Sequence, residues 1–173
     1  VRRQLWNRNY SESRVPEVPS ILLELLSHQN FPDMRYGLDP RFRFTASRAM
    51  YKGILRYLAS TNNYEYKVQP LPVEAFCADF TDSTEVELRW KPVDDPLEPT
   101  AKPTGYLVYT RMEDGGFDNG EYVNSTRFYK KIERNKIYSF KVEAVNEGGR
   151  SFPSEILSVC KTNDDANVVL IVN

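Results

Sequence analysis

Few side chains in this 173-residue sequence are equipped for chemistry, and the most conspicuous is Glu24. It interrupts the run V-P-S-I-L-L-E-L-L, standing among Ile21, Leu22, Leu23, Leu25 and Leu26. A carboxylate in such surroundings needs a cationic partner, a metal or a proton, because burial penalises its charged form. One reading pairs it with Arg14 or Arg35 inside a sheet; the other makes it a general acid or base, since perturbed acids gather at reaction centres. His28 and Asn30 follow closely enough to border the same site, although a lone loop histidine more commonly makes surface hydrogen bonds. His28 is the only histidine, and Cys77 and Cys160 lie far from it in sequence, so the usual histidine-rich zinc set cannot be drawn from this chain. A Ser-His-Asp triad would have to use His28, and neither a G-x-S-x-G elbow nor a phosphate-cradling glycine loop is present. The residue inventory favours a chain that binds, spaces or completes something.

Composition narrows this further. Apolar residues make up 40% of the chain and charged residues 27%, with 11 Tyr, 9 Phe and 2 Trp, which is ample burial for a folded protein. The net charge of −1 argues against nucleic acid as a partner, and no apolar run is long enough to span a membrane. Positive charge is concentrated in the first 66 residues and negative charge in the rest, which implies two regions of different character. Ser60 to Asn63 and then Pro70 and Pro72 mark the join.

The elements that would position Glu24 come first. Bracketed by Pro16, Pro19 and Pro32, residues 18–26 read as a strand buried on both faces, as in a parallel sheet. Asp39 then offers an N-cap and Pro40 a first helical residue. Phe42, Ala46, Ala49, Met50, Gly53, Ile54 and Tyr57 recur at steps of three and four, predicting an amphipathic helix that stops near Ala59. A strand and one helix are too little for a sheet domain, so this region reads as the end of something larger. The arginines at 35, 41, 43, 48 and 56 read mainly as a solvated face.

V-P-S-I-L-L-E-L-L-S-H-Q-N-F-P-D, then L-D-P-R-F-R and G-I-L-R-Y-L, resembles the C-terminal segment of zinc-dependent N-acetylmuramoyl-L-alanine amidases. Glu24, Asn30, Asp33, Gly53 and Ile54 fall at that family's positions. The resemblance implies a doubly wound α/β fold, with Glu24 as general acid/base toward a zinc-bound water. Leu26 and Ser27 stand where the family prefers Gly-Phe. Its zinc ligands lie upstream of the matching segment, so zinc is expected only in a complete parent domain and no cofactor within these residues.

Beyond residue 68 the pattern changes to short alternating runs at 73–80, 85–91, 105–111, 121–123, 127–132, 137–146 and 156–161, with turn signals between them. Val86, Leu88 and Trp90 alternate with Glu85, Glu87 and Arg89; Tyr138, Phe140, Val142 and Ala144 do so later. Seven runs predict an antiparallel β-sandwich, making the chain mainly β with an N-terminal α/β piece. Trp90, the Ile132 to Tyr138 spacing of a tyrosine corner, and Y-S-F-K-V-E-A-V-N followed by G-R-S-F-P-S resemble a fibronectin type III module throughout. In this reading Trp90, Ile132 and Tyr138 are structural. The acidic turn with Asp114, Asp118 and Glu121 lacks the spacing of a calcium loop and reads as a hydrated hairpin. Cys77 and Cys160, on the first and last strands, are either bonded or two buried thiols.

The expected plan is an amidase-like piece over 1–60, a linker over 61–69, a fibronectin type III domain over 70–162, and the start of a following domain over 163–173, whose N-V-V-L-I-V-N looks like a cut-off strand. Such an order is similar to secreted bacterial multidomain proteins often labelled xanthan lyase. It implies a secreted, periplasmic or cell-surface location, with the rest of the parent chain and peptidoglycan or polysaccharide as partners. The leading expectation is a piece without catalytic activity of its own, the module acting as spacer. The alternative is a carbohydrate- or protein-binding module, for which Tyr106, Tyr109, Tyr122, Phe128 and Tyr129 are the candidate aromatics.

Overall fold

The computed structural model describes residues 4–82 and 84–162, so the start of a following domain expected over 163–173 lies outside the described residues. The chain divides into two compact units, Val1–Gly53 and Ile54–Asn173.

In the first unit the local helix signals hold and the strand signal fails. A single turn, α1 (Ser11–Arg14), is followed by α2 (Phe31–Gly37), with Asn30 at its N-cap position and Pro32 in its first turn. Next comes α3 (Pro40–Asn62). Asp39 caps it as expected: its carboxylate accepts the Arg41 amide at 2.9 Å and its carbonyl the Arg43 amide at 3.1 Å. Tyr36 and Phe42 bring their rings to 5.9 Å. Residues 18–26, expected as a buried strand, form none. A strand is held by ladder partners, and this unit contains no second strand among the described residues; Leu26 turns out of extended geometry at φ 64°. The apolar run therefore lies open, with Ile21 73% exposed, and no described residue before Ile54 is buried.

Within the second unit, α3 runs past the expected stop at Ala59. Asn63, at φ 53°, ends it in the left-handed conformation that asparagine tolerates, and the Tyr64 amide returns to the Ala59 carbonyl at 3.1 Å, a Schellman closure. Among the described residues eight strands follow rather than seven: β1 (Glu74–Phe80), β2 (Glu85–Lys91), β3 (Gly105–Met112), β4 (Glu121–Val123), β5 (Arg127–Lys131), β6 (Ile137–Asn146), β7 (Gly149–Arg150) and β8 (Leu157–Cys160). The added β7 is a two-residue return along β6 at the E-G-G turn. One sheet has the order β1-β2-β5; the other has β4-β3-β6-β7, with β8 also pairing β6, and every pairing is antiparallel.

The alternating residues meet between the sheets. Val86, Leu88, Val108, Phe140 and Val142 are fully buried, and Trp90 packs edge-on against Tyr106 at 5.3 Å and Phe76 at 6.5 Å. Each such side chain contributes about 1.5–3 kcal/mol through burial. Ile132 is buried, and the Tyr138 hydroxyl accepts the Glu133 amide at 3.4 Å, closing the expected corner. Between β7 and β8 the chain follows β6 without being a strand. Pro153 has no amide to offer there, and the Ser151 and Ser154 hydroxyls accept the Ala144 and Val142 amides at 2.9 and 3.0 Å.

Candidate functional site

The first unit places Glu24 in solvent on the irregular stretch 18–26, His28 in an exposed turn and Asn30 exposed at the head of α2. Among the described residues no hydrogen bond or ion pair links the three, and none joins Glu24 to Arg14 or Arg35, so the ion-paired reading of Glu24 is not what the structure holds. The burial that made this carboxylate anomalous is absent, because the strand that would have enclosed it has no sheet to enter. Asp33 serves locally, its carboxylate accepting the Ser27 amide at 3.0 Å. An open hollow of about 440 Å³ lies beside α2, lined by Phe31, Pro32, Arg35, Tyr36 and Asp39. Among the described residues no group of three His, Cys, Asp or Glu side chains is arranged to hold a metal ion.

On the sandwich, the candidate sugar-binding aromatics separate into two sets. Tyr106 and Phe128 belong to the core, and Tyr109 is also buried, although it lies on the outer face of its sheet. The loop between β3 and β4 covers it: Gly120, at φ 80°, sits so close that an added Cβ would come within 2.9 Å of the Tyr109 ring. Lys141 lies over the rings of both Tyr109 and Phe117, and the Tyr109 hydroxyl donates to Glu143 at 2.8 Å. Burial comes first in pushing the Tyr109 phenol up, with Glu143 adding to it. Tyr122 and Tyr129 remain exposed, each with its hydroxyl engaged, the first on the Thr104 carbonyl and the second on Glu87. Asp118, from the acidic turn, accepts the Thr110 and Gly120 amides at 3.1 and 3.0 Å, which is hairpin support. Cys77 is half-buried and Cys160 exposed, both free thiols, so neither a disulfide nor a pair of buried thiols describes them.

The most deeply buried charged side chain among the described residues escaped the sequence reading. Glu98, 3% exposed, precedes a 3-10 turn (Pro99–Ala101) and receives Arg56 from α3 at 2.9 Å and the Thr100 hydroxyl at 2.8 Å. Burial pushes its carboxyl up, but the hydrogen bonds from Thr100 and Arg56 outweigh that and hold it below the usual range. Arg56 also donates to the Tyr66 hydroxyl at 2.9 Å. Beside them Asn146 donates to the Val68, Thr100 and Lys102 carbonyls at 2.9, 3.2 and 3.2 Å. D-D-P-L-E-P-T reads as a turn, and no local periodicity signals that its glutamate is enclosed. A groove of about 560 Å³ opens next to this cluster, lined by Ser60, Tyr64, Tyr66 and Lys67 among others. No helix among the described residues is long and apolar enough to cross a membrane.

No curated protein matches the sequence. Among solved structures, the twitchin kinase region from C. elegans is similar at 23% identity and a TM-score of 0.48, over 58% of this chain and 18% of that one. The FN5 domain of Drosophila Lar is similar at 21% identity and a TM-score of 0.41, over 54% of this chain and 98% of its own. The third fibronectin III domain of the human KIAA0343 protein is similar at 17% identity and a TM-score of 0.46, over 61% and 94%. The chain thus spans less than a fifth of the length of the twitchin region. Residues 71–159, more than half of the sequence, match the fibronectin type III domain model, and with its buried Trp90, its tyrosine corner at Tyr138 and its two antiparallel sheets, this chain belongs to the fibronectin type III family.

Proposed function

We propose that this chain is a spacer module without turnover of its own, set beside part of a hydrolase in a longer secreted protein. The observation that carries the spacer role is the use made of buried polar groups. Among the described residues the buried carboxylate and the buried serine hydroxyls are each committed to structure, Glu98 to Arg56 and Thr100, Ser139 to Ser158, and Ser151 and Ser154 to amides of β6, while the buried nitrogens left without a partner are Nε1 of Trp90 and Nε of Arg89 and Arg111. A reaction centre keeps such groups poised toward a cleft, whereas a scaffold consumes them internally.

The hydrolase part of the proposal rests on the amidase-like placement of Glu24, Asn30, Asp33, Gly53 and Ile54, and on the open apolar run 18–26, whose leucines call for sheet neighbours. In that setting the parent is a bacterial cell-wall or polysaccharide-acting enzyme of amidase or xanthan lyase type, located outside the cytoplasm, and Glu24 is its general acid/base. Residues 1–173 incubated with a muramoyl-peptide amide and with xanthan should release no product; release of either product overturns the proposal.

A further inference from the structure

We propose that residues 54–70 form a strap docked in cis on the fibronectin sandwich, and that the surface made by Glu98, Thr100, Asn146 and Gly148 is its receptor, fixing the direction in which the last turns of α3 meet the module. The inference deepens the spacer reading and rests on it.

The strap lies before the first residue of the family match, yet it is bound as part of the fold. Along it, Ala59, Val68 and Pro70 are buried, Val68 completely. Both polar groups of the Val68 backbone are taken by the sandwich: its amide donates to the Thr100 hydroxyl at 3.1 Å, and its carbonyl accepts Asn146 at 2.9 Å. The same threonine donates to Glu98, so one hydroxyl ties the strap backbone to the buried acid. Lys67 pairs with Glu147 outside. On the receptor side, Gly148 leaves no room for a side chain, since a Cβ there would stand 2.3 Å from the Lys67 carbonyl oxygen.

The decisive element is charge. A carboxylate as enclosed as Glu98 is costly unless a cation and hydrogen bonds compensate it, and the only ion pair it makes among the described residues is to Arg56. The sandwich thus carries a buried anion whose counter-charge comes from the strap. A sandwich meant to swing freely on its linker would not enclose such a group. Arg56 is in turn held by Tyr66, so helix, extended segment and turn lock one another, and the Schellman closure at Asn63 sets the angle between the first two.

The test is hydrogen exchange on residues 1–173, followed at the Tyr64 and Val68 amides with β3 and β6 amides as the internal reference. The native chain should protect Tyr64 and Val68. Arg56→Gln, which keeps most of the side chain's length, should speed exchange at both by at least tenfold and leave β3 and β6 unchanged. Adding Glu98→Gln to Arg56→Gln should speed them less than Glu98→Gln does alone, because each substitution removes the same contact. Unprotected Tyr64 and Val68 amides in the native chain, or unchanged exchange in Arg56→Gln, would overturn the strap, and the native measurement decides even if a variant fails to fold. Binding of a polysaccharide would sink the spacer reading without moving these amides, so the two failures are separate.

Discussion

Arg56 reaches the Glu98 carboxylate at 2.9 Å across 42 positions of sequence, joining the last turns of α3 to a turn of the sandwich. The acid is enclosed and its partner half in water, with side chains 3% and 54% exposed, so the pair combines a group that needs compensation with one that supplies it cheaply.

Its pH dependence follows from the sign of the shift. The Glu98 carboxyl lies lower in the folded chain than in the unfolded one, so the stability it adds is present above the ordinary carboxyl range, about pH 4.3, and is lost as pH falls through the folded value. Native protein should exceed Glu98→Gln by about 1–3 kcal/mol at pH 7, and the gap should narrow progressively below about pH 4 in urea titrations. A gap that widens on acidification would contradict this assignment.

Gly148 makes a steric prediction. An alanine there meets the Lys67 carbonyl, which is backbone and cannot swing aside, so Gly148→Ala should cost about 1–3 kcal/mol in unfolding measurements. Gly116→Ala, where an added Cβ meets nothing within 4 Å, provides the control and should change stability by less than about 0.5 kcal/mol.

Core and corner should separate by magnitude. Leu88 is fully buried beneath the Trp90 cluster, and Leu88→Ala should cost about 2–5 kcal/mol. Tyr138→Phe removes only a long hydrogen bond of 3.4 Å to the Glu133 amide and should cost no more than about 1 kcal/mol. Thermal midpoints of the two variants should rank in that order.

The apolar run of the first unit should betray itself as a sticky surface. Ile21, Leu22, Leu23 and Leu25 are 73%, 46%, 49% and 47% exposed. Residues 1–173 should bind a hydrophobic dye and self-associate as concentration rises, and Leu23→Asp with Leu25→Asp should reduce both while leaving the unfolding midpoint of the sandwich unchanged.

The success and failure of the sequence reading have one physical root. The alternation of Val86, Leu88 and Trp90 is legible because a strand with one buried face repeats every two residues whatever its partners are. Asp39 and Pro40 are legible because capping is settled within a turn. Residues 18–26 carry the composition of a buried strand, but pairing is a contract with another segment, and without one the run stays irregular. Glu98 is the converse: its neighbours in sequence describe a turn, and what encloses it is a helix 42 residues earlier. Glu24 drew attention by its setting among leucines, and the structure leaves that setting in water.

The most direct test of the spacer role is calorimetric titration of residues 1–173 with soluble peptidoglycan fragments and with an acidic polysaccharide such as xanthan oligosaccharides. The account predicts no heat beyond dilution with either. A saturable heat that disappears when the exposed Tyr122 and Tyr129 are replaced by alanine would show instead that the sandwich is a carbohydrate-binding module.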